Sequence, residues 1–218
     1  MNTYQNFLPK VIIEATQVCD LSCDGCYAGN ILSKNTPEQL IQKFPSMFLS
    51  HEALQSTLES VGESNFDLSI RGGEPSLHPN INSILETARK KTTGNIYFET
   101  HGRWLLGSCN KLANSLKTHA VIAKISYDSM HGTSKDDLKS MVKVLQDKGI
   151  DFLIAITEFS EAEFLEMRKT IPWVKSANIV FQKKAKNKEE LIDPEFIVAV
   201  NGKFKEQFAL KRSFGVRP

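Results

Sequence analysis

Six short apolar runs recur along the chain, and each is followed by a loop and then by a helical pattern. The runs are rich in Ile, Val, Leu and Phe, as strands buried on both faces of a parallel sheet are. They are Val11–Thr16, Phe66–Arg71, Asn95–Thr100, Val121–Ser126, Asp151–Thr157 and Ser176–Gln182. Because strands that alternate with helices are joined by right-handed crossovers, this order predicts a parallel sheet covered by helices.

The segments between the runs carry helical signals. Asn80–Lys90 and Asp136–Lys148 place apolar residues on one face at helical spacing. Ser108–Lys117 is predicted to be a further helix, and Thr36–Val61 is predicted to form two helices because Pro45 interrupts it. A full barrel of eight strand–helix units needs about 250 residues, so six units predict an open barrel or a doubly wound sheet. In both folds the functional site lies at the carboxyl ends of the strands.

The alternation of apolar runs and helical patterns stops after the sixth run, which predicts that the chain has two parts. Residues 1–182 are predicted to form the α/β core, a partial (β/α)6 TIM-like barrel, and residues 183–218 a loop and a small β-hairpin appendage. The hairpin is predicted from Phe196–Val200, the turn Asn201-Gly202 and Lys203–Phe208. This hairpin is expected to cover the mouth of the barrel.

Composition and charge exclude several classes of protein for this chain. The chain has 218 residues with 41% hydrophobic and 24% charged residues, which excludes a disordered, collagen-like or coiled-coil protein. A net charge of +2 gives no reason to expect nucleic acid or a membrane surface as a partner. No apolar run approaches the roughly 18–20 residues of a membrane span, and Met1–Lys10 does not resemble a secretory signal. We therefore expect a cytoplasmic protein.

Three of the four cysteines lie close together directly after the first run. They are Cys19, Cys23 and Cys26, whereas Cys109 is alone. A tight triplet favours a metal or redox site over a disulfide framework. Three thiolates can hold three corners of an iron–sulfur cubane and leave the fourth iron open to a small molecule. Structural zinc is the alternative, with Cys109 or a histidine such as His101 as the fourth ligand, and the triplet alone leaves both open.

A second motif ends the second run. Phe66–Arg71 is followed by Gly72-Gly73-Glu74-Pro75. Paired glycines let the backbone approach a ligand closely, and the proline restricts the backbone that follows. The carboxylate suits a cationic amino group. By itself the motif is also compatible with a simple turn.

Together the two motifs resemble those of the radical S-adenosylmethionine (radical SAM) enzymes, and the resemblance covers Val11–Gln182. It implies that the three clustered cysteines ligate a 4Fe-4S cluster whose open iron binds S-adenosylmethionine (SAM). Gly72, Gly73 and Glu74 would hold the amino group of SAM, and Pro75 belongs with them to the predicted cofactor-binding residues. An electron from the cluster would cleave SAM to a 5′-deoxyadenosyl radical, which would abstract hydrogen from a peptide or small-metabolite substrate.

Other positions follow from the resemblance. Thr100, Ser126 and Asp128 lie at strand ends and are predicted to bind the cofactor, with Asp128 and His101 as candidate catalytic residues. Relatives often have Asn where this chain has His101. We expect His101 either to contact the cofactor or the substrate, or to cap the loop. Relatives commonly have an aromatic residue just before the third cysteine, where it stacks near the adenine of SAM. In this chain that residue is Gly25, and Tyr27, which follows the cysteine, is the candidate for the contact with adenine.

Further residues keep two interpretations. His131 either contacts substrate or is an exposed loop residue, and Glu158 either faces the pocket or lies on the surface. His78 is predicted to order the loop before the helix Asn80–Lys90. The hairpin has no cysteine, so one cluster is expected.

The resemblance also implies a reductant such as flavodoxin or ferredoxin. Two alternatives remain open: an activating enzyme for a glycyl-radical partner, and a non-catalytic zinc or iron–sulfur protein.

Overall fold

The computed structural model describes residues 11–23, 26, 36–62, 64–107, 110–158, 160–183 and 196–198. Within these residues the strands are β1 Val11–Thr16, β2 Leu68–Gly72, β3 Ile96–Thr100, β4 Val121–Ser126, β5 Phe152–Glu158, β6 Ile179–Lys183 and β7 Phe196–Val198. All pair in parallel in the order β6-β5-β4-β3-β2-β1-β7, so the sheet is open, with β6 and β7 at its edges. The predicted six parallel strands are confirmed, although β6 starts late because a 3₁₀ turn occupies Ser176–Asn178.

The described helices connect the strands as predicted. They are α1 Pro37–Lys43, α2 His51–Val61, α3 Ile81–Lys91, α4 Asn110–Thr118, α5 Lys135–Asp147 and α6 Glu161–Lys169. Thr36 forms a capping box with Gln39 at the start of α1, and a 3₁₀ turn begins at Pro45 and separates α1 from α2. Membrane crossing would require a longer and more apolar helix than any in the described ranges.

Side chains alternate between the two faces of each strand, and the helix-covered face holds the main core. Leu68, Ile70 and Phe98 are fully buried there against the helices. The opposite face has its own small apolar cluster, which contains Tyr97 and Leu153. The sheet thus packs on both faces: the main core lies between its outer face and the helices, and a smaller apolar cluster lies on the inner face of the partial barrel.

A layer of charged side chains crosses four neighbouring strands on the inner face. Glu14 lies opposite Arg71, and Glu99 lies opposite Lys124 with 3.0 Å between the carboxylate and the ammonium group. Ser69 Oγ donates to Glu99 Oε1 at 2.7 Å. Burial raises the pKa of Glu14. Burial alone would also raise the pKa of Glu99, but Lys124 and Arg71 outweigh it and lower that pKa to about 2. Glu99 and Lys124 therefore form an ion pair between neighbouring strands of this layer.

The first strand of the predicted hairpin joins the main sheet. Phe196–Val198 pairs in parallel with β1, so it extends the edge of the sheet and is not placed over the mouth of the barrel. The rest of the hairpin, including Asn201-Gly202 and Lys203–Phe208, lies outside the described residues and stays a prediction.

Candidate active site

The cysteine loop starts at the carboxyl end of β1 and is held there by packing and hydrogen bonds. Val18 is buried against Leu40 and Phe48 in a small satellite core. The Val18 N–H donates to Thr16 Oγ1 at 3.0 Å, and the Val18 carbonyl accepts from the Glu74 N–H at 2.8 Å. The backbone immediately before Cys19 is therefore fixed by contacts to the end of β2.

The three clustered cysteines are thiols rather than disulfide partners. Cys19 is buried, whereas Cys23 and Cys26 are partly exposed, and the Cys26 N–H donates to the Cys23 carbonyl at 3.2 Å. Burial, with smaller contributions from the carboxylates of Glu74 and Asp20, raises the pKa of Cys19 to about 11. Without metal this thiol is protonated, and binding of a cationic iron centre must displace its proton.

Paired glycines bring the end of β2 against the end of β1. Gly72 has φ +147°, and a Cβ there would lie 2.1 Å from the Thr16 carbonyl oxygen; at Gly73 it would lie 2.3 Å from the Val18 carbonyl oxygen. The Gly73 N–H donates to the Thr16 carbonyl at 2.7 Å. A side chain at either position would push the two strand ends apart. The glycines thus have an intramolecular requirement that the sequence did not indicate, and their contact with SAM stays a prediction.

Glu74 joins the second motif to β3. Its side chain is 1% exposed, and its oxygens accept from the Ser76 N–H at 3.0 Å, the Thr100 hydroxyl at 2.8 Å and the His101 N–H at 3.0 Å. Pro75 begins a 3₁₀ turn for which Glu74 is the N-cap. The carboxylate is therefore oriented by three donors within the chain.

Thr100 fixes the orientation of this carboxylate. Its hydroxyl donates to Glu74 and accepts from the Gly102 N–H at 2.9 Å and the Trp104 indole N–H at 3.0 Å. One donor and two acceptor positions are all that a hydroxyl has. The side chain thus acts on the site through Glu74, and a direct contact with the cofactor stays a prediction.

His101 lies between the two motifs. It is 5% exposed, and its Nε2 is 2.7 Å from Asp20 Oδ1 and 3.2 Å from Glu74 Oε2. The Arg103 N–H donates to Nδ1 at 3.1 Å, which places the proton on Nε2. Burial alone would lower the pKa of His101, but Glu74 and Asp20 raise it, and the hydrogen bond from His101 lowers the pKa of Asp20. Sequence reasoning missed Asp20, because no local pattern links it to a residue 81 positions away.

This histidine bears on the zinc alternative. The ligand atoms of Cys19, Asp20 and His101 lie within 4.8 Å of one another. Both ring nitrogens of His101 already have partners, however, so it becomes a fourth ligand only if one of these hydrogen bonds breaks. The arrangement therefore favours a histidine that holds the cysteine loop.

Asp128 lies beyond Ser126 at the end of β4, and its carboxylate has two unlike oxygens. Oδ1 accepts from the Met130 N–H at 3.0 Å and the His131 N–H at 3.1 Å, and it is 2.7 Å from His131 Nδ1. Oδ2 is buried and has no hydrogen-bond partner within the described part of the chain. Ser126 is half-buried. The structure thus brings His131, which the sequence left open, into direct contact with a predicted site residue.

Glu158 stabilises the same loop from β5. It is 6% exposed, and its oxygens accept from the Ser129 N–H at 3.2 Å and the Ser129 hydroxyl at 3.4 Å. Arg103 Nη2 donates to the His131 carbonyl at 3.3 Å. Glu158 is therefore buried, so the interpretation as a surface carboxylate is wrong, and its contact with the pocket stays a prediction.

The prediction for His78 is confirmed, whereas those for Gly25, Tyr27 and Cys109 stay predictions. His78 Nδ1 accepts from the Asn80 N–H at 3.1 Å, and its Nε2 lies 3.0 Å from the Leu49 carbonyl, which confirms that it orders the loop before α3. Gly25, Tyr27 and Cys109 lie outside the described residues.

Comparisons with known proteins identify a family and a fold for this chain. Residues 11–121 match the family described as 4Fe-4S single cluster domain. Comparison with curated protein sequences found no match. Among solved structures, native anSMEcpe with bound AdoMet and Kp18Cys peptide is 17% identical over 79% of this chain and 50% of that chain, with a TM-score of 0.57.

A second structure, native anSMEcpe with bound AdoMet, is 16% identical over 95% of this chain and 63% of that chain, also with a TM-score of 0.57. SuiB of Streptococcus suis bound to precursor peptide SuiA is 13% identical over 89% of this chain and 58% of that chain, with a TM-score of 0.44. The chain spans less than two thirds of these chains. The likeness to anSMEcpe confirms the predicted partial-barrel fold.

Proposed function

Because the chain belongs to the 4Fe-4S single cluster domain family and has the partial barrel of the radical SAM enzymes, we propose that it is a radical SAM enzyme. Cys19, Cys23 and Cys26 would hold one 4Fe-4S cluster, and SAM would bind at the adjacent strand ends. When bound, these groups would supply the reductive cleavage of SAM and the hydrogen abstraction from substrate that follows it.

One observation carries the proposal: two motifs about fifty residues apart in sequence meet in space. The Glu74 N–H donates to the carbonyl of Val18, the residue before Cys19. His101 then connects Asp20, the residue after Cys19, to the side chain of Glu74. A simple turn or a structural zinc site needs no such connection between a cysteine loop and a buried carboxylate.

The donor set fits the cluster. Three thiols on one loop match a cubane with an open iron, and none is lost to a disulfide. The protein prepares this loop by fixing Val18 on one side and Asp20 on the other. These contacts fix the backbone on both sides of Cys19, the first of the three proposed ligands.

The end of β4 fits SAM. Asp128 Oδ2 is a buried acceptor with no donor among the residues that the structure describes, and buried polar groups in native proteins are nearly always paired. A ribose hydroxyl is a donor of the right kind. By strand alternation Ser126, the last residue of β4, belongs to the inner face, the side of the charged layer, and Asp128 follows in the loop directly beyond it. We therefore place the ribose of SAM at Asp128 and its amino group near Glu74.

A peptide is the favoured substrate within the proposed class. The anSMEcpe structure that shares the fold has a peptide bound together with AdoMet. An open sheet leaves more room for an extended chain than a closed barrel does. A flavodoxin or ferredoxin is the proposed electron donor, and the cytoplasm is the proposed location.

The test is anaerobic reconstitution with iron and sulfide, followed by reduction with dithionite, addition of SAM and assay of 5′-deoxyadenosine. We expect about four irons per chain and 5′-deoxyadenosine in the wild-type protein. Cys23→Ala should lose both, whereas Cys109→Ala, the matched control, should keep both. Cleavage retained in Cys23→Ala, or zinc in place of iron in the wild-type protein, would overturn the proposal.

A further inference from the structure

His131 and Asp128 form a carboxylate–imidazole pair at the functional end of the sheet. His131 Nδ1 is 2.7 Å from Asp128 Oδ1, which already accepts two backbone N–H groups, from Met130 and from His131 itself. The Asp128 side chain is 0% exposed and that of His131 is 22% exposed. Since the carboxylate accepts at this distance, the imidazole donates through Nδ1.

The two carboxylate oxygens of Asp128 differ in their hydrogen bonds. Oδ1 is saturated within the loop, whereas Oδ2 is buried without a partner in the described residues. Rotation about the terminal torsion of an aspartate is soft, so backbone N–H groups alone restrain the carboxylate plane weakly. A side-chain donor such as His131 Nδ1 adds a third direction and fixes where Oδ2 points.

The histidine is itself held from elements outside its loop. Arg103, which follows β3, donates to the His131 carbonyl, and Glu158 at the end of β5 accepts twice from Ser129. The Tyr127 hydroxyl, at the start of the loop, hydrogen-bonds to Thr170 Oγ1 at 3.0 Å. The loop is thus held by three neighbouring parts of the fold, as a preorganised binding element requires.

We propose that His131 is a positioning residue for SAM: its Nδ1–H holds Asp128 Oδ1 so that Oδ2 faces the ribose hydroxyls. This rests on the proposed function, because it deepens the assignment of Asp128 to the ribose. His131 acts through Asp128 and has no contact with the reacting atoms.

The experiment measures ligand binding to the anaerobically reconstituted protein by equilibrium dialysis. Three ligands are compared: SAM, 5′-deoxyadenosine, which carries the ribose, and methionine, which does not. The variants are His131→Ala, His131→Asn and His131→Gln. The Asn amide can occupy the position of Nδ1, whereas the Gln amide reaches that of Nε2. Iron content and far-UV circular dichroism verify that each variant is folded and loaded.

We expect His131→Ala and His131→Gln to weaken SAM and 5′-deoxyadenosine about tenfold, the scale of one charge-assisted hydrogen bond. His131→Asn should stay within about threefold of the wild-type protein for every ligand. Methionine binding should be unchanged throughout. Rescue by Asn but not by Gln distinguishes positioning through Nδ1 from a general loss of loop structure.

Two results overturn the inference alone: equal SAM binding in all variants, or methionine weakened as much as SAM. A wild-type protein that holds its cluster but binds no SAM overturns the proposed function instead. If His131→Ala does not fold, the comparison of Asn with Gln decides, since both keep a side chain of similar polarity in the loop.

Discussion

Replacing Lys124 with methionine tests whether the charged layer inside the barrel contributes to stability. The ammonium group of Lys124 lies 3.0 Å from Glu99, and the two side chains are 8% and 20% exposed. Methionine keeps the length and apolar stem of lysine but removes its charge. Glu99 would then keep the hydroxyl of Ser69 and the charge of Arg71.

The magnitude follows from the pKa of Glu99. Lowering a carboxyl pKa from 4.5 to about 2 corresponds to about 3 kcal/mol of stability at neutral pH. Breaking a buried pair by removing one partner typically costs about 3–5 kcal/mol. Since Arg71 remains, we expect Lys124→Met to lower the free energy of unfolding by about 2–3 kcal/mol. Because the folded-state pKa of Glu99 lies below its unfolded value, this stability is present above about pH 4.5 and is lost as the pH falls towards 2.

The assay is urea unfolding of the cluster-free protein, followed by circular dichroism at pH 7 and at pH 3. The cost of Lys124→Met should fall to about half at pH 3. Lys143→Met is the matched control, because its ion pair with Asp147 is 73% and 61% exposed and should contribute less than about 1 kcal/mol. A cost for Lys124→Met no larger than that of the control, or one unchanged at pH 3, would refute this reasoning.

Three further changes test separate parts of the structure. Gly72→Ala should lower the free energy of unfolding by several kcal/mol and reduce iron loading, because the new Cβ would lie 2.1 Å from a backbone oxygen. Gly62→Ala is the control: Gly62 has φ +71° but open space around it, so the change should cost only about 1 kcal/mol in urea and leave iron loading unchanged. Cys23→Ala should lose the cluster yet unfold within about 1 kcal/mol of Cys109→Ala in urea, because the core between sheet and helices is independent of the loop; an unfolded Cys23→Ala would contradict this. Burial lowers the pKa of His78, so the free energy of unfolding of the wild-type protein should fall below about pH 6.5. The free energy of unfolding of His78→Phe should fall less between pH 7 and 5.5. Equal losses would show that the buried imidazole is not the cause.

The secondary structure was largely predictable from local pattern. The predicted strand Val121–Ser126 matches β4 residue for residue, and the helix predicted at Asp136–Lys148 is displaced by one residue. Apolar runs and amphipathic spacing report burial over a few residues, which is the scale on which strands and helices form. The parallel pairing of Phe196–Val198 with β1 was not predictable, because Asn-Gly indicates only a local turn and the sheet edge that accepts the strand is nearly the whole chain away.

For the candidate site, the sequence by itself determined which chemical groups are present and at which strand ends they lie. The cysteine triplet after β1 and the Gly-Gly-Glu-Pro motif after β2 were enough to indicate the family. Only the tertiary structure decided how these groups are used. It shows that Gly72 is needed for close approach to Thr16 and that His101 connects Asp20 to Glu74. It also shows that one oxygen of Asp128 has three donors, whereas the other has none within the described part of the chain. Each of these contacts depends on strand register or on the fold of a loop, and a one-dimensional pattern of residue types carries neither.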